Sequence, residues 1–176
     1  MPRIKMKGYF GIKESMKVAS ATVTTGWLAG ECFELSAGAG NPYSADEVDK
    51  CDAASDKVYG IALDSSANVA SAQYGMTQPS ASKVTILHGH SKFEIDHAAE
   101  ITAGTTTAAY LAYDSIAMLT ATVNDYLFTN ASGKLTIVAT PTSGAAVSGA
   151  HFQPVGIVTK VPVVGNSYTL GVLMFG

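Results

Sequence analysis

Gly30-Glu31-Cys32-Phe33-Glu34-Leu35-Ser36, then a polar stretch, then Lys57-Val58-Tyr59-Gly60-Ile61-Ala62-Leu63, is the segment on which the fold turns. Each flank is short, carries apolar residues such as Phe33 and Leu35 or Val58, Tyr59 and Ile61, and is bounded by turn-forming residues, which is the signature of a strand. The plan returns in the second half. Asn124-Asp125-Tyr126-Leu127-Phe128-Thr129 is followed by a polar stretch and then by Gln153-Pro154-Val155-Gly156-Ile157-Val158-Thr159. Both copies run turn, strand, long excursion, and a strand carrying Val-Tyr-Gly-Ile or Val-Gly-Ile. Glycine weakens a strand interior, so its recurrence at matching places predicts a bulge or a tight corner.

Working outward, similar runs occur at Lys83–Leu87, Ser91–Ile95, Ala108–Tyr113, Lys134–Ala139, Pro154–Val163 and Ser167–Phe175. The sequence therefore predicts an all-β protein of β-barrel or β-sandwich type, built of two similar β units. The expected division is an N-terminal arm over 1–20 and a β domain over 21–176. The related units fall at about 26–66 and 104–163, joined by an insertion over 67–103 that includes the polar stretch Ser65–Ser82. Asn130-Ala131-Ser132-Gly133 reads as a hairpin turn with Gly133 at positive φ. Asn41–Asp46 and Gly144–Gly149 read as exposed connections. The capping-box spacing Ser44-Ala45-Asp46-Glu47 predicts one or two helical turns.

Composition narrows the function. Charged residues are 14% of the 176, against 47% apolar. A soluble domain usually carries about a quarter charged residues. Ser, Thr, Ala and Gly must therefore cover much of the surface, and such faces are buried against protein at little desolvation cost. Five of the eleven basic residues (Arg3, Lys5, Lys7, Lys13, Lys17) lie in the first seventeen positions beside one acid, Glu14. The rest is acidic and should repel nucleic acid. Ile4, Met6, Tyr9, Phe10 and Ile12 interleave with that charge. The segment reads as an arm that docks on an acidic partner, or else as a strand of the chain's own sheet. It lacks the apolar run of a secretory signal, and no stretch of about eighteen apolar residues could span a bilayer. A soluble protein made in a reducing cytoplasm is expected, with no membrane partner and no disulfide required of Cys32 and Cys51.

Little in the chain suggests catalysis. There is no Gly-x-Ser-x-Gly elbow, phosphate loop or dinucleotide fingerprint. Glu31 with Glu34, and Asp46 with Glu47, read as exposed turn residues. His88 and His90, two apart on a strand, with His97 nearby, are weak candidates for metal ligands, because a zinc site needs three or four converging donors. No cofactor is expected, and His151 is treated like the other histidines. Most aromatics, Trp27, Phe33, Tyr59 and Phe93 among them, suit core positions. The apolar run Leu173-Met174-Phe175 must be covered, either by closing a barrel or by self-association at a subunit interface.

The pattern Gly-Glu-x-Phe-x-Leu, polar stretch, Lys-Val-x-Gly-Ile-Ala-Leu-Asp over Gly30–Asp64, echoed in Asp125–Thr159, resembles the head decoration, or cement, proteins of tailed bacteriophages. The resemblance implies a small β protein without catalytic residues. It would bind the major capsid protein on the outer surface of the virion, commonly as a homotrimer, and stabilise the head. It also implies a gripping arm, for which Arg3, Ile4, Lys5, Lys7, Tyr9, Phe10, Lys13 and Lys17 are the candidates. The second β unit and the Ser65–Ser82 stretch depart from the smallest members. Other readings of the same residues are a tail-tube or fibre-base subunit and a carbohydrate-binding β-module.

Overall fold

The computed structural model describes residues 3–8, 11–19, 22, 25–36, 47–53, 56–66, 82–97, 111–114, 117–137, 153–163 and 168–176. Their strands are β1 (Arg3–Gly8), β2 (Ile12–Val18), β3 (Cys32–Ser36), β4 (Glu47–Lys50), β5 (Val58–Ala62), β6 (Lys83–His88), β7 (Ser91–Asp96), β8 (Tyr126–Thr129), β9 (Leu135–Thr136), β10 (Gly156–Lys160) and β11 (Leu170–Met174). A 3-10 turn covers Ala117–Thr120. Five strands close a barrel in the order β2-β4-β3-β5-β6. The other six form a sheet in the order β1-β7-β11-β10-β8-β9. The expected all-β architecture with a barrel is therefore present.

Period-two alternation explains how the two bodies pack. One residue set fills the barrel: Val18, Trp27, Phe33, Val48, Ala62, Val84 and Ile86 pack together, with the Trp27 and Phe33 rings edge to face at 5.9 Å. The opposite set, including Cys32, Ile61 and Leu87, joins Phe93, Ile95, Leu127, Val158, Leu170 and Val172 of the sheet in a second core. Barrel wall and sheet thus share one buried apolar layer. Trp27 donates its indole N–H to the Asp64 carbonyl at 3.0 Å, so its one polar atom is satisfied inside the barrel.

The internal repeat is a repeat of topology. The strand order β4-β3-β5-β6 in the barrel matches β9-β8-β10-β11 in the sheet. The turns match bond for bond. Gly30 N–H donates to the Ala62 carbonyl at 2.7 Å and Ala62 N–H to that of Glu31 at 2.9 Å; Asn124 N–H donates to Val158 at 2.8 Å and Val158 N–H to Asp125 at 2.9 Å. Gly30 and Asn124 both take positive φ, at 96° and 78°. The likeness reaches beyond the quoted stretches. β2 pairs antiparallel with β6 as β7 does with β11. The barrel closes through parallel pairing of Lys17 and Val18 with Glu47 and Val48, and a parallel bridge joins Tyr113 to Leu135 at the corresponding place. The stretch expected to connect the units thus contains β6 and β7, which carry the pairing of both.

The repeated glycine has one cause in both units. A Cβ on Gly60 would sit 2.5 Å from the Leu87 carbonyl oxygen, and one on Gly156 would sit 2.3 Å from that of Leu173. Neighbouring backbone approaches too closely for any side chain. In the barrel the ladder also slips here, with Phe33 opposite Gly60 and Glu34 opposite Val58, which leaves Tyr59 as a bulged residue.

Three expectations are corrected. Residues 3–8 and 12–18 are not an extended arm: β1 is an edge strand beside β7, and β2 is a stave of the barrel. The alternation that put cations between Ile4 and Met6 lays those two against the core and leaves Arg3, Lys5 and Lys7 in solvent. Glu47 opens β4 instead of a helical turn, because its neighbour Val48 fills the barrel. Glu31 is no exposed turn residue; it is 3% exposed. The hairpin over Asn130–Gly133 forms as expected, with Gly133 at φ 71° and its N–H on the Asn130 carbonyl at 3.0 Å. The Ser44–Asp46 part of the capping box, the Gly144–Gly149 and Asn41–Asp46 connections, and nearly all of the Ser65–Ser82 stretch lie outside the described residues.

Candidate binding cleft

Where the end of β6 meets the start of β5, three polar side chains from three strands converge. Tyr59 donates its hydroxyl hydrogen to Glu14 Oε2 at 2.8 Å. The Tyr59 hydroxyl oxygen stands 3.2 Å from His88 Nε2, and His88 Nε2 stands 3.5 Å from Glu14 Oε2. With its only hydrogen given to Glu14, the phenol oxygen accepts from His88, which places a proton on Nε2. The imidazole and phenol rings stack, 4.6 Å apart and 27° from parallel. Partial burial, and then the bond to Glu14, push the Tyr59 hydroxyl above its ordinary range.

Local backbone makes this assembly. Ladder register sets Glu14 opposite Ile86 and Ile12 opposite His88, so Glu14 and His88 lie on the face of β2 and β6 that fills the barrel. Regular alternation would turn Tyr59 away with Ile61; the bulge re-aims it. Gly60 keeps room beside it, since a Cβ there would lie 3.1 Å from His88 Cβ. The cleft outside this cluster holds about 270 Å³. One wall is Val58, Tyr59, Gly60, His88 and Gly89; the other is Pro154, Val155, Met174 and Phe175, with Gln153 and Gly176 at the rim.

Neither a scan of known protein families nor searches of characterised proteins and of solved structures finds a match.

The residues expected to act lie apart from one another. On β1, Lys5 pairs with Asp96 at 2.5 Å and Lys7 with Glu94 at 3.1 Å, while Lys160 approaches Glu94 at 3.5 Å from the other side. On β2, Lys13 is exposed and Lys17 pairs with Glu47. Tyr9 and Phe10 lie outside the described residues, as does His151. Of the self-association candidates, Met174 is buried and Leu173 half-buried, because β11 runs between β7 and β10 and both its edges are paired within the chain. Only Phe175 stays 37% exposed, edge to face with Tyr126 at 6.3 Å.

The three histidines do not meet. His88 belongs to the cluster, His90 is exposed in the β6–β7 turn, and His97 lies beyond the far end of β7. Six residues of strand at about 3.3 Å each separate it from that turn by roughly 20 Å. His97 is fully buried against the Tyr113 ring, accepts from Ala112 N–H at 3.5 Å, and is lowered by burial to a pKa of about 4. Among the described residues no three His, Cys, Asp or Glu side chains gather as metal ligands.

Two further buried groups are structural. The Glu31 carboxylate accepts from Leu28 N–H at 3.0 Å and faces Lys50 Nζ at 3.6 Å; burial outweighs that cation and raises its pKa. Cys32 and Cys51, joined by a backbone bond of 3.1 Å from Cys51 N–H to the Cys32 carbonyl, are free thiols, and burial pushes Cys32 up to about 12. At such values they are poor nucleophiles.

Sequence reasoning took Tyr59 as a core aromatic and missed the part of Glu14. The signal was present in the repeat: Val-Tyr-Gly-Ile carries one residue more than Val-Gly-Ile, and an extra residue in one of two equivalent strands marks a bulge.

Proposed function

We propose that the protein is a non-enzymatic decoration protein of a tailed-bacteriophage head, which binds the major capsid protein lattice on the outer surface, self-associates there as a homotrimer, and reinforces the shell. The observation that carries this reading is a pair of β units with a shared core in a chain of little charge that keeps Ile12, Leu35, Val123, Tyr126, Val163 and Phe175 exposed. Each such side chain is already about half covered, so burying the remainder adds about 1 kcal/mol of apolar transfer. Many copies on one lattice then resist internal pressure together. The solvent-facing cations Arg3 and Lys13 would steer the approach in a salt-sensitive way.

Removing the first seventeen residues is no test, since it deletes two strands. The test is co-sedimentation with expanded shells of tailed-phage major capsid protein. Wild type should pellet with the shells, and Ile12→Asp or Tyr126→Asp should weaken binding by about tenfold or more while leaving the thermal transition in place. Failure of the wild type to bind any such shell overturns the reading. Spontaneous rings or filaments without shells would favour a tail-tube or fibre-base subunit instead.

A further inference from the structure

We propose that the cleft between the two units is a binding site for a single neutral sugar ring. Its walls are corresponding corners of the repeat, the end of β6 with the start of β5 on one side and the end of β11 with the approach to β10 on the other. They differ in chemistry. The first presents the stacked Tyr59 and His88 rings; the second presents Pro154, Met174 and the exposed Phe175 ring. Gln153, exposed and part of the lining, offers an amide, and the space that a Cβ on Gly89 would enter is open.

Each competing ligand class lacks a feature it needs. Among the described residues lining the cleft there is no lysine or arginine to hold a phosphate or carboxylate. Glu14 is turned to Tyr59 and His88 and is not part of the lining, so an ammonium group would meet no carboxylate. An alkyl chain would bury the polar wall unsatisfied. A pyranose has apolar C–H faces and a rim of hydroxyls, which suit aromatic walls with amide and imidazole groups among the lining residues. The volume, about 270 Å³, lies just under the range of about 300–1,000 Å³ typical of drug-sized ligands and suits one ring. Glu14 is a positioning residue: by taking the Tyr59 hydrogen it holds the phenol over His88.

The repeat supplies a second, independent observation. Register makes Phe93 the counterpart of Glu14 and Met174 that of His88, and both are buried in the apolar core. The second unit folds on the same plan without a polar cluster, so folding alone does not require Glu14, Tyr59 and His88.

The test is titration of the full chain with methyl β-glucopyranoside and methyl β-galactopyranoside, followed by the NMR signals of the Met174 methyl and the His88 ring. A glycoside should shift both saturably and leave Met118 and His97 unmoved. Phe175→Ala and Gln153→Ala, at exposed positions, should each weaken binding by about three- to tenfold. No saturable shift with either glycoside overturns the proposal. So does equal binding of cyclohexanol, preference for N-acetylproline amide or inorganic phosphate, or indifference to both substitutions. None of these outcomes bears on shell binding, which is read separately by co-sedimentation.

Discussion

The barrel unit and the sheet unit share a hydrogen-bonding plan and differ in what they enclose. At equivalent places the first has Glu14 and His88 and the second has Phe93 and Met174, while the bulged Tyr59 has no counterpart. In the first the turn carboxylate, Glu31, is buried against Lys50; in the second it is Asp125, half-buried, accepting from Thr122 N–H at 2.7 Å. Conversely, His97 of the second unit stands where the first has Val18. The frame is therefore fixed by turns and glycines, and its interior side chains are free to diverge as long as each polar group finds a partner.

The comparison breaks most sharply at the paired glycines. Gly156→Ala should cost about 3 kcal/mol or more, since every atom its Cβ meets within 3.0 Å is backbone of Leu173 or Met174. Gly60→Ala should cost about 2 kcal/mol or more, because its Cβ would lie 2.5 Å from the Leu87 carbonyl oxygen, slightly farther than the 2.3 Å at Gly156. Urea denaturation of both variants decides. Two neutral substitutions would mean that the close approaches are not what unites the units.

His97 gives a pH-dependent contrast of similar size. Its folded pKa of about 4 lies below the unfolded value of 6.5, so on acidification the unfolded chain takes a proton that the folded chain refuses. Stability is full above pH 6.5 and is lost as pH falls toward 4, by roughly 3 kcal/mol in total. Replacing His97 by Val, as in the first unit, should flatten that slope in denaturation curves between those limits. An unchanged slope would assign the acid sensitivity to carboxylates.

Smaller effects sharpen the comparison at the turns. Gly30→Asn should cost about 1–2 kcal/mol, because its Cβ would lie 2.8 Å from Ile95 Cδ1 and 3.0 Å from Ala112 Cβ. The converse change, Asn124→Gly, should move the thermal midpoint little. The least effect is expected of His88→Met, which installs the second unit's residue in the first. Tyr59 keeps its bond to Glu14, so the loss should stay below about 1 kcal/mol by thermal melting.

How much of this was legible varies with the range of the interactions. The repeat, the β class and the Asn130–Gly133 turn depend on local patterns and were readable. The strand character of residues 3–8 and 12–18 was obscured because Arg3, Lys5, Lys7 and Lys13 face solvent, where a strand and a docking arm look alike in sequence. β4 was masked by an N-cap spacing that tertiary packing of Val48 overrides. The polar cluster was least readable. Its members are 45 and 29 residues apart in sequence, and only barrel register and a bulge bring them together. Burial of Glu31 depends likewise on Lys50 arriving from another strand.

The place of β11 bears on how the chain reaches this state. It follows every other described strand in sequence yet lies in the middle of its sheet, between β7 and β10. During synthesis the barrel can complete once β6 has emerged, whereas β7 and β10 wait with unmated edges until β11 emerges. A nascent chain stalled before Leu170 would hold a finished half beside an adhesive one, and escape from aggregation would rest on how quickly that strand inserts.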